Sequence, residues 1–376
     1  MNKTVEGIAP EGNTAPDTTK ILHVGLDWGT NTSCLQASFA DTPDKVQCDL
    51  IPTVVGYAGE GMIDNLLPEN ARILFGQDAL RHRLHLSLAY PMVNGVLRDL
   101  KAARDFAMHL RARLAPSPET EIRAVVGLPA NADRSALESM RQTLAGIFDR
   151  IIVIPEPFLA ALGYRDESRL HNPDYTDPVS NSLFIDSGAG TTDICLIQGY
   201  YPTAKDQFSF PFAGDRLDAL LDEAVRTTYP DCDLSFHTIR ELKEKYAFVG
   251  LLDSPVEASV LVGGKRRKLD LGPLLRSAGE ELLQRISKSA QLLIARAPSD
   301  SVPELLQNII LTGGSSRIRH LDSELQRLLI EAGYENPRVS VTGENYKTFV
   351  AKGALKAARQ ARDDQWQQAA PRSSGN

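Results

Sequence analysis

The chain has 376 residues, 42% of them hydrophobic and 24% charged, with a formal net charge of −7. Its length exceeds one compact core and predicts two or more packed units of an ordinary globular protein. The acidic balance disfavours general nucleic-acid binding. No run reaches the roughly twenty apolar residues of a membrane span. The four cysteines (Cys34, Cys48, Cys195, Cys232) lack metal-ligand spacing, which fits a reduced, cytoplasmic setting.

Residues 1–19 are polar and rich in Gly, Pro, Asn and Thr; they read as a disordered arm without the apolar core of a signal peptide. ILHVGLD at 21–27 is an apolar strand ending in Asp27. A small polar turn, Trp28-Gly29-Thr30-Asn31-Thr32-Ser33, leads to a second strand at 34–39. Residues 50–80 carry several glycines and short apolar pieces, as a small inserted subdomain would. A helix is expected over 79–88, with His82 and His85 on it but nothing to complete a metal site. Asn94-Gly95 makes a turn before a helix at 99–114.

A strand at 122–128, a helix over 130–148 and a strand at 150–154 form a βαβ unit of an α/β fold. Pro155-Glu156-Pro157 then opens another helix. Glu156, at the end of a parallel strand, either points into the crevice where such sheets bind ligands or complements the helix dipole. A polar loop at 166–181 reads as the linker between halves.

NSLFIDSGAGTTDICLIQ at 181–198 repeats the first pattern: apolar strand, Asp186, a turn of small residues, second strand. Within the turn 187–192, Gly188, Ala189 and Gly190 leave room for a phosphate to approach backbone N–H groups; the alternative is a β-hairpin whose turn is glycine-rich for geometry alone. A carboxylate beside a phosphate is repulsive unless a cation lies between, so Asp186 implies hydrated magnesium. Two such hairpins, at Asp27 and Asp186, suggest an internal duplication facing one phosphate chain.

Gly214-Asp215 leads into a helix beginning near Arg216. A second helix, 235–248, carries Arg240, Lys243, Glu244 and Lys245, of which Arg240 and Lys245 read as a solvated face. A hairpin at 256–271 turns at Gly263-Gly264, and Lys265-Arg266-Arg267-Lys268 reads as its solvated turn. A long amphipathic helix follows over 274–297. The strand NIIL at 308–311, the turn Thr312-Gly313-Gly314-Ser315-Ser316-Arg317 and a helix over 318–329 present a helix N-terminus to a polar ligand. A last strand at 339–341 and a helix at 348–360 precede a polar tail.

In this order the pieces resemble the actin-like ATPase superfamily over residues 21–360. Asp27–Thr30 looks like its first phosphate loop and Asp186–Asp193 like its second. Gly214-Asp215, with Lys243 and Glu244, resembles the ribose and adenine contacts, and Thr312–Arg317 the adenosine motif. Glu156, within IPEPFLAALGY, resembles the acid that places the attacking water. DSGAGTTDI, YPMVNGVL, LKEKYAFVG and IILTGGSSRIRHL are most similar to the bacterial filament branch: MreB and, closer still, the magnetosome-organising MamK family.

The resemblance implies an α/β, actin-like ATPase fold of two duplicated βββαβα (ribonuclease H-like) domains around a nucleotide cleft. Domain I is expected at 20–180, with a small subdomain near 50–85 and the helix 348–362. Domain II is expected at 181–347, with a small subdomain near 215–297, and a disordered tail at 363–376. It further implies Asp27 and Asp186 holding Mg2+ through water, and ATP phosphates on Gly29, Thr30, Asn31, Gly188, Ala189, Gly190, Thr191 and Thr192. Ribose and adenine would meet Gly214, Asp215, Lys243, Glu244, Gly313, Gly314, Ser315 and Arg317. The implied function is an ATP-hydrolysing cytoplasmic filament positioning magnetosomes. Its partners would be other copies of itself, head to tail, and magnetosome-associated adaptor proteins, with no nucleic acid and no direct membrane anchor. The alternatives are a cell-shape scaffold like MreB, or a sugar-kinase or chaperone-type ATPase that does not polymerise.

Overall fold

The computed structural model describes residues 20–130, 132–252 and 254–368. The first hairpin, β1 (Ile21–Trp28) and β2 (Thr32–Phe39), is extended by β3 (Gln47–Pro52). A separate three-stranded sheet follows, made of β4 (Val55–Ala58), β5 (Ile73–Phe75) and β6 (Leu86–Ala89), with helix α1 (Gly76–Arg81) beside it. The helix expected over 79–88 therefore ends early. Leu86 is buried by cross-strand pairing with Ala58, which draws the segment into the sheet. A short ribbon, β7 (Met92–Val93) and β8 (Val96–Leu97), turns at Asn94-Gly95, both with positive φ as its tight turn requires.

α2 (Leu100–Arg113), β9 (Glu121–Leu128), α3 (Arg134–Leu144), β10 (Arg150–Pro155) and α4 (Glu156–Tyr164) complete the first half. Asp99 and Asp133 cap α2 and α3 through their carboxylates. α3 is shorter than the 130–148 its periodicity predicts, because Ala145 leaves helical backbone and Gly146 has φ +69°.

The second half opens with β11 (Ser182–Ser187), β12 (Thr192–Ile197) and β13 (Gln207–Phe210). α5 (Gly214–Thr228), α6 (Phe236–Tyr246), the ribbon β14 (Glu257–Val262) and β15 (Lys265–Asp270), α7 (Gly272–Ile294) and α8 (Val302–Leu306) follow. β16 (Ile309–Thr312), α9 (Leu321–Glu331), β17 (Val339–Val341), α10 (Phe349–Gln360) and β18 (Gln367–Gln368) close the described chain. Lys265–Lys268 forms most of β15, not the turn, which is Gly263-Gly264 alone; alternate residues of β14 bury Ala258 and Val260 and hold the basic strand in register. α9 starts at Leu321 rather than 318: Gly314–Arg317 is a 3-10 turn and His320 adopts a left-handed φ of 66°, so the helix N-terminus does not sit at the Gly-Gly turn. α7 packs its Leu282, Leu283, Ile286 and Leu293 under the second sheet, while Leu275 at its start joins the core formed by α5, α6 and the β14–β15 ribbon.

The two large sheets share one topology. In the first, the order β3-β2-β1-β9-β10 is antiparallel through β1 and then parallel. In the second, β13-β12-β11-β16-β17 repeats that order and those directions. α10 returns to the first sheet and packs on α4, β1 and β9. Close approach there depends on missing side chains, since a Cβ on Gly163, Gly353 or Gly25 would overlap facing backbone.

The tail expected to be disordered over 363–376 is structured as far as it is described. Trp366 is buried, Asp363 pairs with Arg123 at 2.6 Å, and Gln367–Gln368 adds to the edge of β10. The buried indole area explains the docking. The expected arm at 1–19 and the tail beyond 368 lie outside the described residues. Among the described residues, no helix is long and apolar enough to cross a membrane.

Candidate functional site

β1 and β11 carry aspartates at their matching penultimate positions, Asp27 and Asp186, and the turns that follow meet in a cleft of about 380 Å3 between the two large sheets. That volume suits a small organic ligand. Asp27, Glu156 and Asp186 line it, together with Gly29, Thr30, Asn31, Gly188, Ala189, Gly190 and Thr191. Gly214, Asp215, Lys243, Glu244, Gly313, Gly314, Ser315 and Arg317 line it as well. Thr192 does not. It is buried behind the turn, where its hydroxyl pairs with Ser187 Oγ at 2.8 Å and donates to the Phe212 carbonyl at 2.8 Å. Strand alternation points its side chain away from the cleft, so Thr192 braces the turn instead of lining it.

Both turns are anchored from the rear. Thr53 donates to the Gly29 carbonyl at 2.7 Å, and its own N–H donates to the Asn31 carbonyl at 3.0 Å. Trp28, fully buried against Phe106, fixes the base of this turn. In the second turn, the Gly188 carbonyl accepts from Gly214 N–H and Ser315 Oγ, and the Ala189 carbonyl accepts from Asp215 N–H at 2.8 Å. A trans peptide points its N–H opposite to its C=O. Anchoring the carbonyls of Gly29, Gly188 and Ala189 therefore turns the N–H groups of Thr30, Ala189 and Gly190 the other way, a concave array suited to phosphate. A Cβ on Gly190 would come within 2.6 Å of Thr30 Oγ1 and 2.8 Å of Asn94 Cα, so the Asn94-Gly95 turn wedges against both hairpin turns. Gly95 N–H also donates to Thr30 Oγ1 at 3.2 Å.

Four carboxylates crowd the floor. Burial and then the neighbouring Asp186 push Asp27 up to about 8. Burial and then Asp193 push Asp186 up to about 7. Burial also raises Glu156 well above the usual carboxylate range, with Asp27, Asp193 and Asp186 adding to it. Asp193, pushed up by burial as well, accepts the Ala130 N–H at 2.8 Å. Glu156 heads α4 and lies over Gly127, where a Cβ would come within 2.9 Å of its Cγ. Such a cluster of like charges is relieved by bound protons or by a cation.

Gly313 (φ +82°) presses its backbone on Asp186 and Ser187, whereas Gly314 faces open space toward Tyr346. Lys243 donates to the Gly214 carbonyl at 3.0 Å and lies 2.9 Å from Asp218. Sequence reasoning missed Arg240, Asp193, Asp218 and Tyr346. Arg240 is no solvated side chain: it lines the cleft and binds Asp215, Asp218 and Asn31. The second Asp of DSGAGTTD was the available signal for Asp193, because it sits directly opposite Asp186 in the hairpin register.

Comparison with known proteins agrees with this architecture. The actin-like protein MamK of Paramagnetospirillum magneticum is 29% identical over 353 residues, covering 92% of this chain and 95% of that protein. The structure of a MamK double helical filament superposes with a TM-score of 0.81 at 26% identity, covering 91% of this chain and all of that one. A MamK non-polymerising mutant bound to AMPPNP superposes with a TM-score of 0.66, also at 26% identity, covering 91% of this chain and 99% of that one. The fold is thus actin-like, and a family profile described as MreB/Mbl protein matches residues 66–365. The chain belongs to the MreB/Mbl family of actin-like proteins.

Proposed function

We propose that this chain is an ATP-hydrolysing, filament-forming bacterial actin homologue. The observation that carries the reading is the meeting, in one cleft, of the small-residue turns of two matching hairpins, each with an aspartate at the base of its turn. We read the halves as lobes at 20–180 and 181–347, with 348–362 returning to the first.

The donor set fits Mg2+. The carboxylates supply hard oxygens in a buried site with excess negative charge, and they line the cleft without a group of three or more arranged to chelate directly among the described residues. Asp27 and Asp186 would hold the ion through its waters, and bound Mg2+ supplies charge neutralisation of the β- and γ-phosphates. The turns at Gly29–Asn31 and Gly188–Thr191 cradle the phosphates. Glu156, whose carboxyl burial holds well above the usual range, would orient the attacking water and, in its ionised form, take its proton. Gly214, Asp215, Lys243, Glu244, Gly313, Gly314, Ser315 and Arg317 receive ribose and base.

ATP touching both lobes favours the closed form. Copies then stack head to tail in an open, non-closing contact, and hydrolysis loosens the filament. The likeness to MamK extends the reading to a cytoplasmic filament that positions magnetosomes through adaptor proteins. High-speed pelleting with electron microscopy tests it. Filaments with Mg-ATP, and few or none without nucleotide, are expected; a monomer under both conditions overturns the filament claim.

A further inference from the structure

Arg240, on α6, uses three guanidinium nitrogens on three acceptors. Nε donates to Asp218 Oδ2 at 3.0 Å, Nη2 to Asp215 Oδ1 at 2.8 Å, and Nη1 to Asn31 Oδ1 at 2.9 Å. Asp215 and Asp218 both lie on α5, beside the second sheet, whereas Asn31 lies in the turn of the first hairpin, across the cleft. Asp218 is fully buried and shared with Lys243. Burying a carboxylate between two cations carries a large desolvation cost, and two apolar side chains would fill such a site at least as stably. What the arrangement gains is direction. Two carboxylates fix the plane of a rigid fork, and its remaining nitrogen points at one place, the exposed amide of Asn31.

We propose that Arg240 and Asn31 form a latch across the mouth of the cleft, and that this latch sets how fast bound nucleotide leaves. The proposal rests on the nucleotide reading above. Arg240 is here a positioning residue: it holds the first hairpin turn against the second half while the phosphates lie between them. Opening the mouth requires that hydrogen bond to break, so the latch acts on dissociation and leaves association nearly unchanged.

The test is release of radiolabelled ADP from the full chain, followed by rapid filtration in Mg2+, for wild type, Arg240→Lys, Asn31→Ala and the double variant. Lys keeps a cation beside buried Asp218, so the fold is retained, but it cannot serve three acceptors. Asn31→Ala removes the far side of the latch at an exposed position. Each single variant is expected to release ADP about tenfold faster, the factor that one charge-assisted hydrogen bond represents. The double variant is expected to be no faster than the faster single, because both remove the same bond. Association should match wild type in Arg240→Lys; Asn31 also belongs to the phosphate turn, so the coupling in the double variant, not the single Asn31→Ala rate, isolates the latch. Unchanged release in Asn31→Ala, or effects that multiply in the double variant, overturns the latch. Failure of wild type to bind ADP at all overturns the nucleotide reading itself, a distinct result.

Discussion

Glu156 shows how much of this site rests on single residues. Its carboxyl is held over Gly127 at the head of α4, among three other buried acids. Glu156→Ala should slow ATP hydrolysis by about a hundredfold or more while nucleotide binding persists. Turnover assayed beside ADP affinity checks this, and hydrolysis at the normal rate would remove Glu156 from its role. The acids also make stability depend on pH. Asp27, near 8, and Asp186, near 7, keep protons in the folded, metal-free protein that the unfolded chain loses near pH 4. Between those values the folded state binds more protons, so stability falls as pH rises from about 4 to about 8. Melts in chelator should give a higher midpoint at pH 6 than at pH 8. Mg2+ should narrow the gap, with protons released as Mg-ATP binds, an effect calorimetry in buffers of different ionisation enthalpy measures.

Helices α4 and α10 position that acid through their backbones. Gly163 and Gly353 meet at the crossing, where a Cβ on either overlaps a carbonyl of the other helix. Gly353→Ala should destabilise the protein by about 3 kcal/mol, the upper end for overpacking, seen as a lower denaturation midpoint, and should slow hydrolysis by moving α4. Local elements were legible where neighbours in sequence decide them. Strand, aspartate, small turn and strand are consecutive, so both hairpins could be read from periodicity and turn chemistry. Where distant residues decide, reading failed. Arg240 looked solvated because its partners lie 22, 25 and 209 residues away. Lys265–Lys268 looked like a turn because its charges mask a strand whose pairing comes from β14. Trp366 lies inside a polar stretch, and only its contact with the first sheet shows why the chain there is ordered.

At the scale of the molecule, duplication does the organising. Two sheets of the same strand order place equivalent turns toward each other, and a ligand between them joins both halves. The repeat was visible in sequence as two aspartate-tipped hairpins about 160 residues apart. The convergence of Asp193, Gly95 and Tyr346 on the same cleft was not, because it arises only when the sheets pack. An internal bridge of this kind ties occupancy of the cleft to the relative setting of the halves, and hence to any contact between copies. The most direct measurement is calorimetric titration of the purified full chain with a non-hydrolysable ATP analogue, with and without Mg2+. One analogue bound per chain, with affinity that drops when Mg2+ is removed or Asp186 is changed to Asn, is the expected result. No binding, or binding indifferent to both changes, would contradict the account.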